Sequence, residues 1–271
     1  MEEKIKTVYS SFNLGDTIAS LSGLKKVCDE TNSKLIIYFR LDLPMANYFS
    51  QQNHPTTNEK GQAVGINRLG FDMLKPLLEA QYYIKEVRIF DGEADFDYNL
   101  EESRKFSLLP LPAGQLQTYD SFTYPELACD LSKAWIETWG ANRKEWLFDK
   151  IIVNKTERYN NPYITYNFLK KYQSNVLFVG TDREWELFNN QWGLNLVKLD
   201  VADFYDLANS LMCCKFFIGN QSFCWHLAES MKIKRVLEFC REFPNSSPIG
   251  DNGYQFLKQE ALLYYFSLLN K

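Results

Sequence analysis

The sequence predicts an α/β protein made of two parallel, doubly wound units, and three stretches carry that expectation. Lys4–Ser10 (KIKTVYS) reads as a strand that passes through an Asn13-Leu14-Gly15-Asp16 turn into a helix. Ile18, Leu21, Leu24 and Val27 line one face of that helix, and a second apolar strand follows at 34–39. The same order restarts at Ile151 and repeats to residue 240. In its clearest repeat Phe216-Phe217-Ile218 is an apolar run broken by Gly219-Asn220-Gln221-Ser222, residues 225–231 read as helix, and 236–239 read as the next strand. Strand, turn, helix, strand is the crossover that parallel pairing requires.

Taken in order, residues 41–66 are polar and carry Pro, Asn and Gly. They read as a loop with broken helix, either facing an acceptor over the strand ends or serving as a surface connection. Helix is expected at 68–80, strand at 87–90 and 95–100, irregular chain at 103–122, and helix at 126–139 ending at Gly140. The boundary between units is placed near 141–149, giving a first domain over 1–145, a second over 146–255 and a terminal helical segment over 256–271. In the second half Ile151–Asn154 is a strand, 164–172 a helix, 176–180 a strand and 183–190 a helix capped by Thr181-Asp182. A strand at 194–199 and a helix at Phe204–Cys213 follow, and a last helix covers 255–270.

Composition narrows the function. With 45% apolar and 24% charged residues the chain reads as an ordinary globular protein, and 15% aromatics suit aromatic cores or a stacking site. Its 30 basic and 34 acidic residues leave a net charge of −4, which lacks the footprint of a nucleic-acid binder. Six cysteines show no zinc-ligand spacing, and adjacent Cys213-Cys214 are ill placed to pair. With only His54 and His226 besides, neither a metal nor a cofactor is expected, and the thiols read as reduced and cytoplasmic. No apolar run is long enough to span a bilayer, and the start MEEKIKTVYSS is unlike a signal peptide; contact with a membrane surface stays open. Gly-x-Gly-x-x-Gly, Gly-x-Ser-x-Gly, His-Glu-x-x-His and P-loop patterns are all missing, so the dinucleotide, hydrolase, metalloprotease and triphosphatase classes have no signal.

The turn at 219–222 has two readings. It is a βα turn with a good N-cap at Ser222, or an anion cradle in which the N–H groups and dipole of the following helix hold a phosphate. The stretch resembles the donor-binding segment of the family 9 glycosyltransferases, the ADP-heptose:lipopolysaccharide heptosyltransferase group. There a strand ends in a Gly-Asn/Asp-Asp-Ser/Thr-Gly-x-x-His-Leu-Ala turn. Gly219, Asn220, Ser222, His226, Leu227 and Ala228 match it, while Gln221 stands at the usual Asp and Phe223 at the usual Gly.

The resemblance implies a GT-B-like architecture, two Rossmann-like domains facing a cleft, and inverting, metal-independent transfer of a sugar from a nucleotide-diphosphate donor to a glycan or similar small acceptor. It implies Asp16, in a Gly-Asp turn like the family's, as general base; local sequence alone favours a helix cap there. Gly219, Asn220, Gln221, Ser222 and His226 fall on the donor side. Arg158 aligns with the family's basic residue near the donor phosphates, with Lys155 as its alternative, and Glu184 with a carboxylate on the nucleoside side. Each has a plainer reading: a solvated loop cation for Arg158, a first-turn helix acid for Glu184, a core imidazole for His226. A catalytically degenerate member that binds a nucleotide or glycan without transfer is the alternative function.

Overall fold

The computed structural model describes residues 3–45, 56–103, 115–138 and 143–271. β1 (Lys4–Ser10), β2 (Ser33–Phe39), β3 (Ile84–Ile89) and β4 (Tyr98–Asn99) pair in parallel in the order β3-β2-β1-β4. Helix α1 (Leu14–Thr31) joins β1 to β2, and α2 (Arg68–Glu79) leads to β3. The second sheet holds β5 (Ile151–Asn154), β6 (Val176–Phe178), β7 (Val197–Lys198), β8 (Phe216–Asn220), β9 (Arg235–Glu238) and β10 (Gly253–Phe256). Its order is β10-β9-β8-β5-β6-β7, again all parallel. This is the doubly wound order whose direction reverses between its first and fourth strands, here β5 and β8. The first sheet reverses in the same way between β1 and β4. Helices α3 (Asp182–Trp192), α4 (Phe204–Cys213), α5 (Phe223–Ser230) and α6 (Gln259–Leu269) complete the second half.

The two sheets are covered differently. Every residue of β5, β6, β8 and β9 is buried, as expected for parallel strands with helices on both faces. Along β2 burial alternates: Leu35, Ile37 and Phe39 are buried and belong to one core with Ile18, Leu21 and Leu24 of α1 and Leu74 and Leu77 of α2. Tyr38 on the opposite face is half-buried and meets Phe90 and Phe96, with Tyr9 stacked on Phe96 at 5.2 Å. The core under α1 continues into the second half, where it takes in Phe217, Leu237, Leu207, Leu211, Trp225 and Leu227. A separate core on the far face of the second sheet gathers Val153, Phe178, Ile218, Val236, Phe256 and Phe266.

Three expectations are corrected. Residues 126–138 do not form an α-helix: a 3₁₀ turn at Pro125–Leu127 is followed by irregular chain with a turn at 131–133. The backbone there is committed to other elements. Trp135 N and Ile136 N both donate to Ser230 O, at 3.0 and 3.4 Å, Tyr83 Oη donates to Trp135 O, and Glu137 N donates to Gln81 Oε1. Trp135 Nε1 donates to Ile18 O at 2.8 Å, so tertiary contacts override the helical pattern. The helix expected at 164–172 is a 3₁₀ helix over Asn167–Asn175, entered from a segment that Asn161 and Thr165 tie to Leu257 and Gln259. The last helix forms but starts later than expected: Gln255 and Phe256 belong to β10, and α6 covers Gln259–Leu269. Arg235, fully buried and paired with Glu229, donates to Ile249 O and Asp251 O and so leads the chain to the edge of β9.

Of the 41–66 stretch, 46–55 lie outside the described residues; the remainder is joined by the bridges Pro44–Val64 and Thr57–Ala63. Of 103–122, residues 104–114 lie outside; the remainder forms a 3₁₀ turn at Leu116–Thr118 and one helical turn at Asp120–Thr123. Gly140, Trp139 and the first two residues of the 141–149 junction also lie outside, and Glu145–Leu147 is a 3₁₀ turn.

Candidate functional site

The 219–222 turn lies at the reversal point of the second sheet, where α/β proteins hold their ligands. A Cβ on Gly219 would sit 2.7 Å from the Phe217 ring and 3.2 Å from Asn154 O, so the strand end has no room for a side chain. Asn220 staples the neighbouring loop: Oδ1 accepts from Thr156 N at 2.9 Å, and Nδ2 donates to Thr156 O at 3.1 Å and Arg158 O at 2.6 Å. Ser222 caps α5, its Oγ accepting from Trp225 N at 3.2 Å and donating to Asn154 Oδ1 at 2.7 Å. Asn154 Nδ2 donates in turn to Val179 O at 2.7 Å, which ties the ends of β5, β6 and β8 together. The first-turn N–H groups of α5 lie outside the helix's own ladder and face this end of the sheet. Gln221 turns away and donates to Asn245 Oδ1 at 2.7 Å.

The structure separates the two candidate cations. Lys155 is paired with Glu238, a fully buried carboxylate that also accepts from Asn161 N at 2.6 Å and Tyr166 Oη at 2.7 Å. Burial pushes the Lys155 ammonium down in pKa against the pull of Glu238, and the Glu238 carboxylate balances its charge. Arg158 is half-buried, its guanidinium 5.2 Å from the Tyr159 ring centre, and among the described residues its Nε has no hydrogen-bond partner. Glu184 closes a capping box with Thr181, accepting from Thr181 N at 2.9 Å. Burial pushes its carboxyl up, against the Thr181 bonds and the nearby Arg158 charge. Glu184 thus has the first-turn position of a helix acid, with Arg158 close to it.

On the other side, Asn13 occupies the cap position of α1, so Asp16 is the third helical residue and not the cap. Asn13 Nδ2 donates to Asp16 Oδ2 at 3.2 Å, and Ser20 Oγ to Asp16 O at 3.1 Å. The connection from β1 is pinned across the reversal of the first sheet: Ser11 N and Oγ donate to Glu101 Oε1 at 2.7 and 2.8 Å. Tyr119 and Asp120, read from sequence only as irregular chain, stand beside Asp16. Burial pushes both groups up in pKa, Asp16 adding to the rise, while Asn245 acts against it at Tyr119 and Ser20 and Ser103 do so at Asp120. Asp120 is 4% exposed. No local pattern marks it, because its burial exists only once α1 is packed over it.

The two sides touch. A Cβ on Gly15 would lie 2.9 Å from His226 Cδ2, so α1 and α5 meet at a glycine–imidazole contact. His226 is buried, its Nδ1 is unpartnered among the described residues, and burial lowers its pKa to about 4. Beside this contact Leu116 N donates to Asn245 O at 2.9 Å, and Ser247 N to Gln115 Oε1 at 2.8 Å. The candidate base and the helix N-terminus of the 219–222 turn thus border one region. Among the described residues no group of three His, Cys, Asp or Glu side chains is arranged to hold a metal ion, and no helix is long and apolar enough to cross a membrane.

No family model matches this sequence, and none of the curated proteins matches it. Among solved structures it is similar to ADP-heptose lipopolysaccharide heptosyltransferase II of E. coli, with 14% identity, TM-score 0.59 and 98% of each chain covered. It is similar to E. coli heptosyltransferase WaaC with ADP-2-deoxy-2-fluoro heptose, with 9% identity, TM-score 0.59 and 98% and 99% of the two chains covered. It is also similar to the family 9 glycosyl transferase of Veillonella parvula, with 12% identity, TM-score 0.55 and 99% and 89% covered. The chain has the GT-B fold of these glycosyltransferases.

Proposed function

We propose that the protein is a glycosyltransferase that moves a sugar from a nucleotide-diphosphate donor to a hydroxyl of a glycan or similar small acceptor, with inversion and without a metal. The observation that carries this reading is the meeting of two reversal points. Asp16 on α1 stands on one side, and the Gly219–Ser222 turn with Arg158 and the α5 N-terminus stands on the other. Asp16 takes the proton of the attacking hydroxyl as its oxygen bonds the anomeric carbon. The bond from that carbon to the diphosphate breaks, and its electron pair leaves with the diphosphate. Arg158 and the helix N–H groups stabilise that departing charge. Asn220, Lys155 and Glu184 serve by fixing the loop and helix that present them. The heptosyltransferases similar in fold support an ADP-linked sugar as the first donor to try. The six unpaired cysteines support a reducing compartment such as the cytoplasm.

Asp16→Asn tests the reading. It keeps the size of the side chain, so stability and donor affinity stay near wild type while transfer falls by roughly two to four orders of magnitude. Wild-type transfer by this variant removes Asp16 as the base. A binding protein without transfer is the second reading. Gln221, an amide tied to Asn245 where the family usually carries an acid, favours it. Donor binding with no transfer to any glycan in a broad screen decides for it.

A further inference from the structure

Buried polar atoms in folded proteins are nearly always hydrogen-bonded. Where the two halves meet, a group of them is not. Gln117 is 5% exposed, and among the described residues neither its Oε1 nor its Nε2 has a partner. The same holds for the hydroxyls of Thr17 and Ser246 and for Asn13 Oδ1, and the Tyr119 hydroxyl makes no geometrically complete bond although the Asn245 side chain lies near it. These atoms share one neighbourhood. The 116–118 turn packs on α1, which carries Thr17 and Asp16, and Asn13 reaches Asp16. Tyr119 stands beside both Asp16 and Asn245. The backbone around them is tied down at Leu116–Asn245 and Gln115–Ser247, so a loose loop does not account for the unpaired groups.

The chemistry of the set narrows its ligand. Two side-chain amides and three hydroxyls offer donors and acceptors together, and the five side chains include no Lys or Arg. A phosphate, which only accepts, would want cations there. Sugar hydroxyls each donate and accept. We propose that Gln117, with Tyr119, Asn13, Thr17 and Ser246, forms a subsite for the hydroxyl-bearing face of a sugar ring beside Asp16. The role of Asp16 rests on the glycosyltransferase reading; the unpaired groups do not. The ring is that of the donor sugar or of the acceptor.

The test uses the full chain, wild type against Gln117→Met and Tyr119→Phe, in two parts. Without any ligand, both variants should unfold at or above the wild-type temperature, because each removes a buried polar group that has no partner. A drop of more than about 2–4 °C in both, the shift of a lost stabilising contact in a chain this long, shows that the groups are structural and overturns the proposal. For binding, ADP, UDP and GDP are titrated by calorimetry beside their glucose, mannose and heptose conjugates, and methyl glycosides of the same sugars are titrated into nucleotide-saturated protein. The variants should bind the bare nucleotides as wild type does and lose about five- to tenfold for the sugar-bearing probe. Loss confined to the conjugates identifies the ring as the donor's, and loss confined to the glycosides as the acceptor's. Unchanged binding of both classes overturns the subsite. If wild type binds no nucleotide, the glycosyltransferase reading fails; the glycosides, titrated alone, then decide the subsite by the same loss or its absence.

Discussion

Burial against Gly15 removes the His226 imidazole from water and lowers its pKa from 6.5 to about 4. The unfolded chain takes up a proton at this residue below pH 6.5 while the folded chain resists it down to about 4. The folded state therefore has its full stability above pH 6.5 and loses it as the pH falls towards 4. Between pH 7.5 and 5 the loss is about 2 kcal/mol from this group alone. His226→Met, which fills similar space without a proton to bind, should lack that part of the slope in urea unfolding. Equal slopes in the two proteins show that His226 is not held neutral by burial. At this scale the sequence was partly legible. Asp16 stood out through its Gly-Asp turn, and its choice between cap and first-turn acid needed the position of Asn13. Gln117, Tyr119 and Asp120 carry no sequence signal, since what distinguishes them is their burial, a property of packing.

The loop from Lys155 to Asn161 shows how an element is placed by one side chain of another strand. Asn220 satisfies Thr156 N, Thr156 O and Arg158 O at once, and no other described side chain holds Arg158 O except the Thr156 hydroxyl. Asn220→Ala leaves Thr156 N and O without this partner and Arg158 O with the Thr156 hydroxyl alone, at a cost of about 2–3 kcal/mol. It also lets Arg158 drift, so nucleoside diphosphate affinity should fall as far as in Arg158→Ala, by ~1.5–3 kcal/mol for a charged hydrogen bond. Calorimetric titration of both variants checks this; wild-type affinity in Asn220→Ala would mean that Arg158 does not depend on the staple. Elements of the second half were readable because apolar runs came with local stop and start signals: the Thr181–Glu184 capping box, Asp203 and Ser222 at N-caps, Gly193 after α3. The 126–138 strap was misread because Leu127, Leu131, Trp135 and Ile136 imitate a helical face. They are buried or half-buried against the core, but in irregular chain whose backbone bonds to other elements.

Across the molecule, one apolar core runs from Val8 and Leu35 in the first sheet through α1 and α5 to Phe217 and Leu237 in the second. Two Rossmann-like units could be read from the repeated strand–helix order. That they share a core could not, because an inward apolar face reads the same whether it meets its own sheet or a neighbour. Sharing makes the halves depend on each other. Differential scanning calorimetry should give one transition whose calorimetric and van't Hoff enthalpies agree, and two resolved transitions would show that the halves unfold independently.

The contact between Gly15 and His226 also bears on how such a gene can be recombined. A GT-B fold of two similar halves invites chimaeras, with one half kept and the other exchanged. Here the seam is written into both partners: any residue larger than glycine at 15 collides with the imbedded imidazole, and Trp225 and Leu227 require the apolar face of α1 beside it. A graft from residue 151 onward that brings a different side chain to position 226 has to bring its own first helix as well. The unit that can be inherited or transplanted intact is the pair of halves.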